Sequence, residues 1–359
     1  MTPIEISEAH LISQKIASSE FKSPGETVRW MGAIQAQDYA MSKWAVGVRL
    51  MDPDILNFQS AYDNGEIIRI HVLRPTWHLV SSDDIYWMLE LSSPKVKSSL
   101  KTRHRQLELS DAIINMTQNI LEKKLTGGIS LTREEVAAEF NKEKIRTDEN
   151  RLSHILFCAE MEGLVCSGPV KRDKLTYSLL HERVPQKKDL LKDEALAELA
   201  KRYFNSRSPA TLEDFIWWSN LSATDARNAL EFIKPCLMSE TTDSGKYWFP
   251  DSFSSKKITG KQVHLLPAYD EFLISYRDRS SSLSGVHNKK TISNNGIFYP
   301  TIVINGQVSG LWKRTMIKEK VIVSLYFFEP PQKHVLNLII NTVNTFGKFL
   351  NKTTEIDLL

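Results

Sequence analysis

Between residues 131 and 180 the apolar positions recur with two different periods. TREEVAAEFN opens at Thr132 with acids in the positions that follow, the order in which helices begin. Leu152, Ile155, Leu156 and Ala159 then fall at helical spacing behind Asp148 or Asn150, either of which can cap a helix. Gly163 closes that segment, as a residue tolerant of a left-handed terminal conformation does. LVCSGPV and KLTYSLL follow as strand-like stretches joined by the charged turn KRD. Helix, helix, then a hairpin with a charged tip is the layout of a winged helix, whose second helix enters a DNA groove.

The same order recurs on either side. SPATLEDFIWWS and SATDARNALEFI read as capped helices, and LMSETTDSGKYWF as a hairpin turning at Asp243-Ser244-Gly245. Nearer the N-terminus, SPGETVRWMGAIQAQ and DPDILNFQSAYDNG read as helices, while IIRIHVL and TWHLVSS supply strands. The three units differ too much in length to form a solenoid. Beyond about residue 260, VHLLPAYDEFLISY, GIFYPTIVING, QVSGLWKR and KVIVSLYFF are rich in β-branched and aromatic residues, and Asn305-Gly306 marks a tight hairpin. A final helix, HVLNLIINTVNTFGKFL, carries an apolar stripe to pack against that β-rich domain. The pattern predicts an α+β chain with winged helices at 1–90, 111–185 and 186–255, a basic connecting segment at 91–110, and a β-rich domain at 256–359.

Composition narrows the classes. With 359 residues, 42% hydrophobic and 25% charged, the chain is of the soluble globular type and long enough for two to four domains. It shows no run of membrane-span length and no basic-then-apolar leader, so a cytoplasmic, nucleoid-associated protein is expected. Cys158, Cys166 and Cys236 have no paired spacing, which points to reduced thiols. No Cys-x-x-Cys pair, His-Glu-x-x-His or glycine-rich phosphate loop is present, so neither a metal nor a nucleotide cofactor is expected. His71 and His78 lie in the first hairpin, where strand parity puts residues seven apart on opposite faces, so no metal pair is expected.

The net charge of +3 is small, but it is unevenly spread. Residues 91–107 contain no acid and gather Lys95, Lys97, Lys101, Arg103 and Arg105 around His104. Lys313, Arg314, Lys318 and Lys320 concentrate beside Trp312. Such local basic faces suit a phosphate-binding groove; a solvated helix face is the alternative reading.

One short stretch, WMGAIQAQDYAM, places Gln35 and Gln37 at the end of an apolar run. Inside a helix, residues i and i+2 point about 200° apart and cannot share a site. At a helix end or in extended chain they face the same space. The plain alternative is a pair of helix-terminal amides bonded to backbone or water.

IQAQDYAMSKWAVGVRL, RPTWHLV, LLPAYDEFLISYRDRS and NGIFYPTIVINGQVSGLWKR together resemble the winged-helix DNA glycosylases of the AlkZ and YcaQ type, in order from about residue 6 to residue 328. The resemblance implies tandem winged helices followed by a β-barrel-like domain, cradling duplex DNA. It also implies excision of alkylated purines and, in some members, unhooking of interstrand crosslinks. The family motif is Gln, an apolar residue, then Gln or Asp; Gln35-Ala36-Gln37 matches the Gln-x-Gln branch tied to crosslinks.

The chemistry accommodates amides. A purine alkylated at N7 or N3 already carries positive charge and leaves as a neutral molecule. The enzyme must then hold a water and stabilise positive charge on the sugar, which a glutamine carbonyl can do without taking up a proton. Gln35 and Gln37 are thus the expected catalytic pair, and Asp38 is the alternative carboxylate. His78 is a DNA contact or a structural residue; Lys101, Arg103, Arg105, Arg277, Arg279, Lys313 and Arg314 are the expected phosphate contacts, with an internal Arg–Asp bridge the alternative around Asp278. The expected activity is that of a monofunctional glycosylase acting as a monomer, since the tandem modules are internal to one chain. The competing reading is a non-catalytic winged-helix regulator of transcription, a class that usually dimerises to read half-sites.

Overall fold

Capping sequences fix where several helices begin. Thr2, Ser23, Thr132 and Thr211 each accept the N–H three residues on while the acid at that position reaches back, and the helices Pro3–Ser13, Pro24–Met31, Arg133–Lys142 and Leu212–Ser219 follow. The computed structural model describes residues 1–253 and 258–359. Contacts divide the chain into two units, one formed by Met1–Gln59 with Leu196–Leu359, the other by Ser60–Ala195.

In the unit Ser60–Ala195, the strands Ile67–Val72 and Arg74–Ser81 pair antiparallel around Leu73, whose φ is +62°. The helix Ile85–Gln106 follows and runs unbroken for 22 residues through Pro94. The basic segment expected at 91–110 falls on this helix as far as Gln106. Asp111–Leu125, Arg133–Lys142 and Arg151–Met161 pack their apolar sides around Leu121, Phe140, Ile155 and Leu156. Asn150 precedes the last of these at φ +69° without a side-chain cap, and Gly163 ends it at φ +68°. The hairpin Val165–Lys171 with Lys174–Leu179 then turns on Arg172 and Asp173, with Leu131–Thr132 as a third, short strand.

In the other unit, the helix expected through residues 23–37 stops at Met31. Gly32 turns the chain at φ +70°, and a β-carbon there would lie 3.3 Å from the Arg202 side chain, so the position needs glycine. The chain then extends through the strand Ala33–Gln35 and re-enters a helix at Tyr39–Gly47. Further on, Leu212–Ser219 and Ala223–Ile233 precede the hairpin Leu237–Thr242 with Gly245–Pro250, as the pattern predicts.

The β-rich C-terminal region forms a five-stranded sheet ordered Thr353–Leu358, Lys320–Phe327, Gln307–Ile317, Thr301–Ile304, Val263–Leu266. Asn305 and Gly306, both at positive φ, make the expected tight turn. The two outer strands do not pair with each other, so the sheet is open where a barrel was expected. Its apolar face is covered instead by the helix Lys333–Phe349, whose Val335, Ile339, Val343, Phe346 and Phe349 pack with Trp44, Trp312, Val321 and Val323. That helix is also the crossover that lets Thr353–Leu358 join parallel to Lys320–Phe327. Among the described residues no helix is long and apolar enough to cross a membrane.

Candidate active site

Gln35 ends the strand Ala33–Gln35 and is buried at 5% exposure, whereas Gln37 lies exposed in the bend that follows. The Gln37 amide makes no hydrogen bond among the described residues. Asp38, also exposed, caps the helix Tyr39–Gly47 and accepts the Met41 N–H at 3.0 Å. The three side chains thus sit on a non-helical stretch between two helices.

A pair of wholly buried ions grips that stretch. Glu271 accepts the Gln35 backbone N–H on Oε1 at 2.8 Å. Its other oxygen accepts Arg207 Nη2 at 2.8 Å, Trp218 Nε1 at 3.2 Å and the Ser275 hydroxyl. Arg207 in turn donates to the carbonyls of Met31 at 2.7 Å and Ala33 at 2.8 Å, on either side of Gly32. Its guanidinium lies 4.4 Å from the Trp218 ring centroid. Burial alone would raise the Glu271 carboxyl; the Arg207 charge and the bonds from Ser275, Arg207 and Gln35 overcome this and hold it at about 2.

The neighbouring acid has a partner of its own. Asp270 takes both terminal nitrogens of Arg49, at 2.9 and 2.8 Å, and Arg49 also donates to Gln14 Oε1 at 2.8 Å and the Ala45 carbonyl at 2.7 Å. Gln14 passes its amide on to the Glu271 carbonyl at 3.2 Å and the Tyr276 hydroxyl at 3.1 Å. Two buried ion pairs thus anchor the segment Tyr269-Asp270-Glu271 to both flanks of the glutamine stretch.

Arg314 lies close enough to Asp38 to feel its charge: burial lowers the guanidinium pKa and the Asp38 carboxylate opposes that. Burial raises the Tyr269 phenol, with Asp38 and Tyr299 adding to it. The structure therefore gathers Gln35, Gln37, Asp38, Tyr269 and Arg314 into one neighbourhood. Lys313 projects from the opposite face of the strand Gln307–Ile317 and is exposed, while Trp312 is buried with Nε1 2.7 Å from the Leu266 carbonyl.

The remaining candidates separate by environment. Lys101, Arg103 and Arg105 are exposed on the helix Ile85–Gln106; Lys101 and Arg105, one turn apart, have no ion-pair partner among the described residues. Arg277 is exposed, and its backbone N–H is fixed by Asp214 at 2.8 Å. Arg279 is instead folded inward, donating to the Leu273 carbonyl at 2.8 Å and lying over Trp217 and Phe298. His78 is fully buried, with Nδ1 2.9 Å from the Thr76 carbonyl, so of its two readings the structural one fits. Among the described residues no three His, Cys, Asp or Glu side chains are grouped to hold a metal ion. Sequence reasoning missed Arg49, Arg207, Asp270 and Glu271. The readable signal was LLPAYDEFLI, where two adjacent acids interrupt an apolar run and so demand buried partners.

A family profile described as DNA glycosylase AlkZ-like matches residues 28–345. No curated protein matches the chain. Among solved structures, the DNA glycosylase AlkZ of Streptomyces sahachiroi superposes at a TM-score of 0.82, covering 100% of both chains at 17% sequence identity.

Proposed function

The chain belongs to the AlkZ-like DNA glycosylase family and is a DNA glycosylase, and from that premise we propose that it hydrolyses the N-glycosidic bond of purines made cationic by alkylation, with Gln35 and Gln37 as the catalytic pair. The observation that carries this reading is the exposed Gln37 amide on a bend anchored by the buried Arg207–Glu271 pair. A rigid, neutral, water-facing amide suits a reaction in which the leaving base already carries the charge. Gln37 orients the attacking water through its carbonyl, and Gln35 beneath it supplies a second dipole toward the sugar cation. Neither side chain takes up the proton, so the water's proton passes to solvent as the C–N bond breaks and the base departs neutral. Asp38, occupied in a helix cap and next to Arg314, adds fixed charge at the edge of the site.

The helix–helix–hairpin segments act as winged helices on duplex DNA, with Lys101, Arg103, Arg105, Arg277, Lys313 and Arg314 on its phosphates. The protein works as a monomer in the cytoplasm, near the nucleoid, and the Gln-x-Gln pair extends its action to interstrand crosslinks. Purified protein incubated with methylated duplex DNA tests the activity: free 7-methylguanine should appear well above the spontaneous rate, and its absence would overturn the substrate class.

A further inference from the structure

We propose that Glu271, backed by Arg207, is a positioning residue for base excision, fixing the Gln35 peptide and with it the direction in which Gln35 and Gln37 present their amides. This inference rests on reading those glutamines as the catalytic pair.

The glutamine stretch is not helical. It leaves a helix at Gly32, runs three residues as a strand and then bends, so no helical ladder sets its path. Yet three of its polar backbone groups, the carbonyls of Met31 and Ala33 and the N–H of Gln35, all end on one buried ion pair. Arg207 spends every N–H it has: Met31 and Ser206 on Nη1, Ala33 and Glu271 on Nη2, Ser275 on Nε. Glu271 accepts four bonds with two oxygens. Such a pair is a poor device for stability alone, because apolar side chains of similar volume often do as well or better. What apolar packing lacks is direction. A fork that grips carbonyls on both sides of Gly32, and a carboxylate that grips the next N–H, set where the following side chains start.

The chemistry makes that direction matter. A water held about 1 Å out of line costs on the order of 10² in rate. A glutamine in place of Glu271 has one acceptor and one amino group for four incoming donors, so at least one donor meets a donor and the Gln35 peptide shifts.

The test is a double-mutant cycle on the single-turnover release of 7-methylguanine from duplex DNA, with melting temperature and DNA affinity measured for each protein. Glu271→Gln should lower the rate on the order of 10² with affinity unchanged. In a background carrying both Gln35→Ala and Gln37→Ala the same change should alter the rate by no more than about twofold, since both amides it positions are gone. A residue that merely supports the fold multiplies the rate by the same factor in both backgrounds, whatever its effect on the melting temperature; that outcome overturns the proposal. Should Glu271→Gln not fold, Glu271→Asp keeps the charge beside Arg207 but withdraws it from Gln35 by one methylene, and Arg207→Lys keeps the opposite charge without the fork. A folded variant of either kind with wild-type excision also overturns the proposal. If Gln35→Ala itself excises normally, the catalytic reading of the pair fails, and that result is separate from a failure of Glu271 alone.

Discussion

The backbone N–H of Gln35 donates to Glu271 Oε1 at 2.8 Å, joining residues 236 positions apart. One carboxylate therefore ties the glutamine stretch to the C-terminal half of the chain.

Replacing either glutamine by alanine removes a positioned dipole. Gln35→Ala and Gln37→Ala should each lower base release on the order of 10² or more, and the double variant should fall by less than the product if both act on one water. Single-turnover assays read the rates, and anisotropy should show DNA affinity nearly unchanged.

Because amides do not titrate near neutrality, the excision rate on a 7-alkylguanine substrate should lack the acid limb that an essential carboxylate imposes. Gln37→Asp should create one. Rate against pH, with folding followed by circular dichroism, is the measurement. A wild-type acid limb abolished by Asp38→Asn would move the catalytic role to Asp38.

DNA binding should be largely independent of sequence and steeply dependent on salt. Lys101→Ala with Arg105→Ala should reduce the salt slope by about two if both reach phosphates. Arg279→Ala should instead lower the melting temperature with little change in slope, since its guanidinium is turned toward the Leu273 carbonyl and two rings.

Much of this layout was legible in advance. Capping boxes, Gly163 and Asn305-Gly306 are local signals, and the elements they announce formed at those places. The end of the helix at Met31 was not read, because QAQ continues an apolar helical pattern and only the φ of Gly32 stops it. The closing strand Thr353–Leu358 was missed because its TTEIDL sequence gains its partner only through the crossover helix. At the site, the glutamines were visible as a motif, but Arg49 and Arg207 carry no local mark. Their meaning comes from acids more than 60 residues away in sequence, at Asp270 and Glu271.

Those partners set the response to acid. Glu271 is held at about 2, below the roughly 4.3 of an unfolded glutamate. Its stabilising contribution is full above that unfolded value and is lost as pH falls through the folded one. Burial lowers His10 and His264 from 6.5 to about 4, so between those values the unfolded chain binds the extra protons and stability falls as pH drops. The melting temperature should decline from about pH 6.5 to 4 and again below, and His10→Gln should flatten the first decline.

Breaking the second pair should be costly. Asp270→Asn leaves the Arg49 charge buried against a neutral amide, a loss of about 3–5 kcal/mol by the usual cost of an orphaned buried ion. Urea unfolding measures it.

The division of the chain has a consequence for how the protein is made. Ser60–Ala195 is one continuous run and can fold as soon as it leaves the ribosome, whereas the unit carrying Gln35 is assembled from the two ends of the chain. Gln35 and Arg49 leave the ribosome first, and the acids that receive them follow more than 200 residues later. A nascent chain halted before Asp270 thus carries the glutamine motif without its anchor, and competence for excision waits for that later stretch.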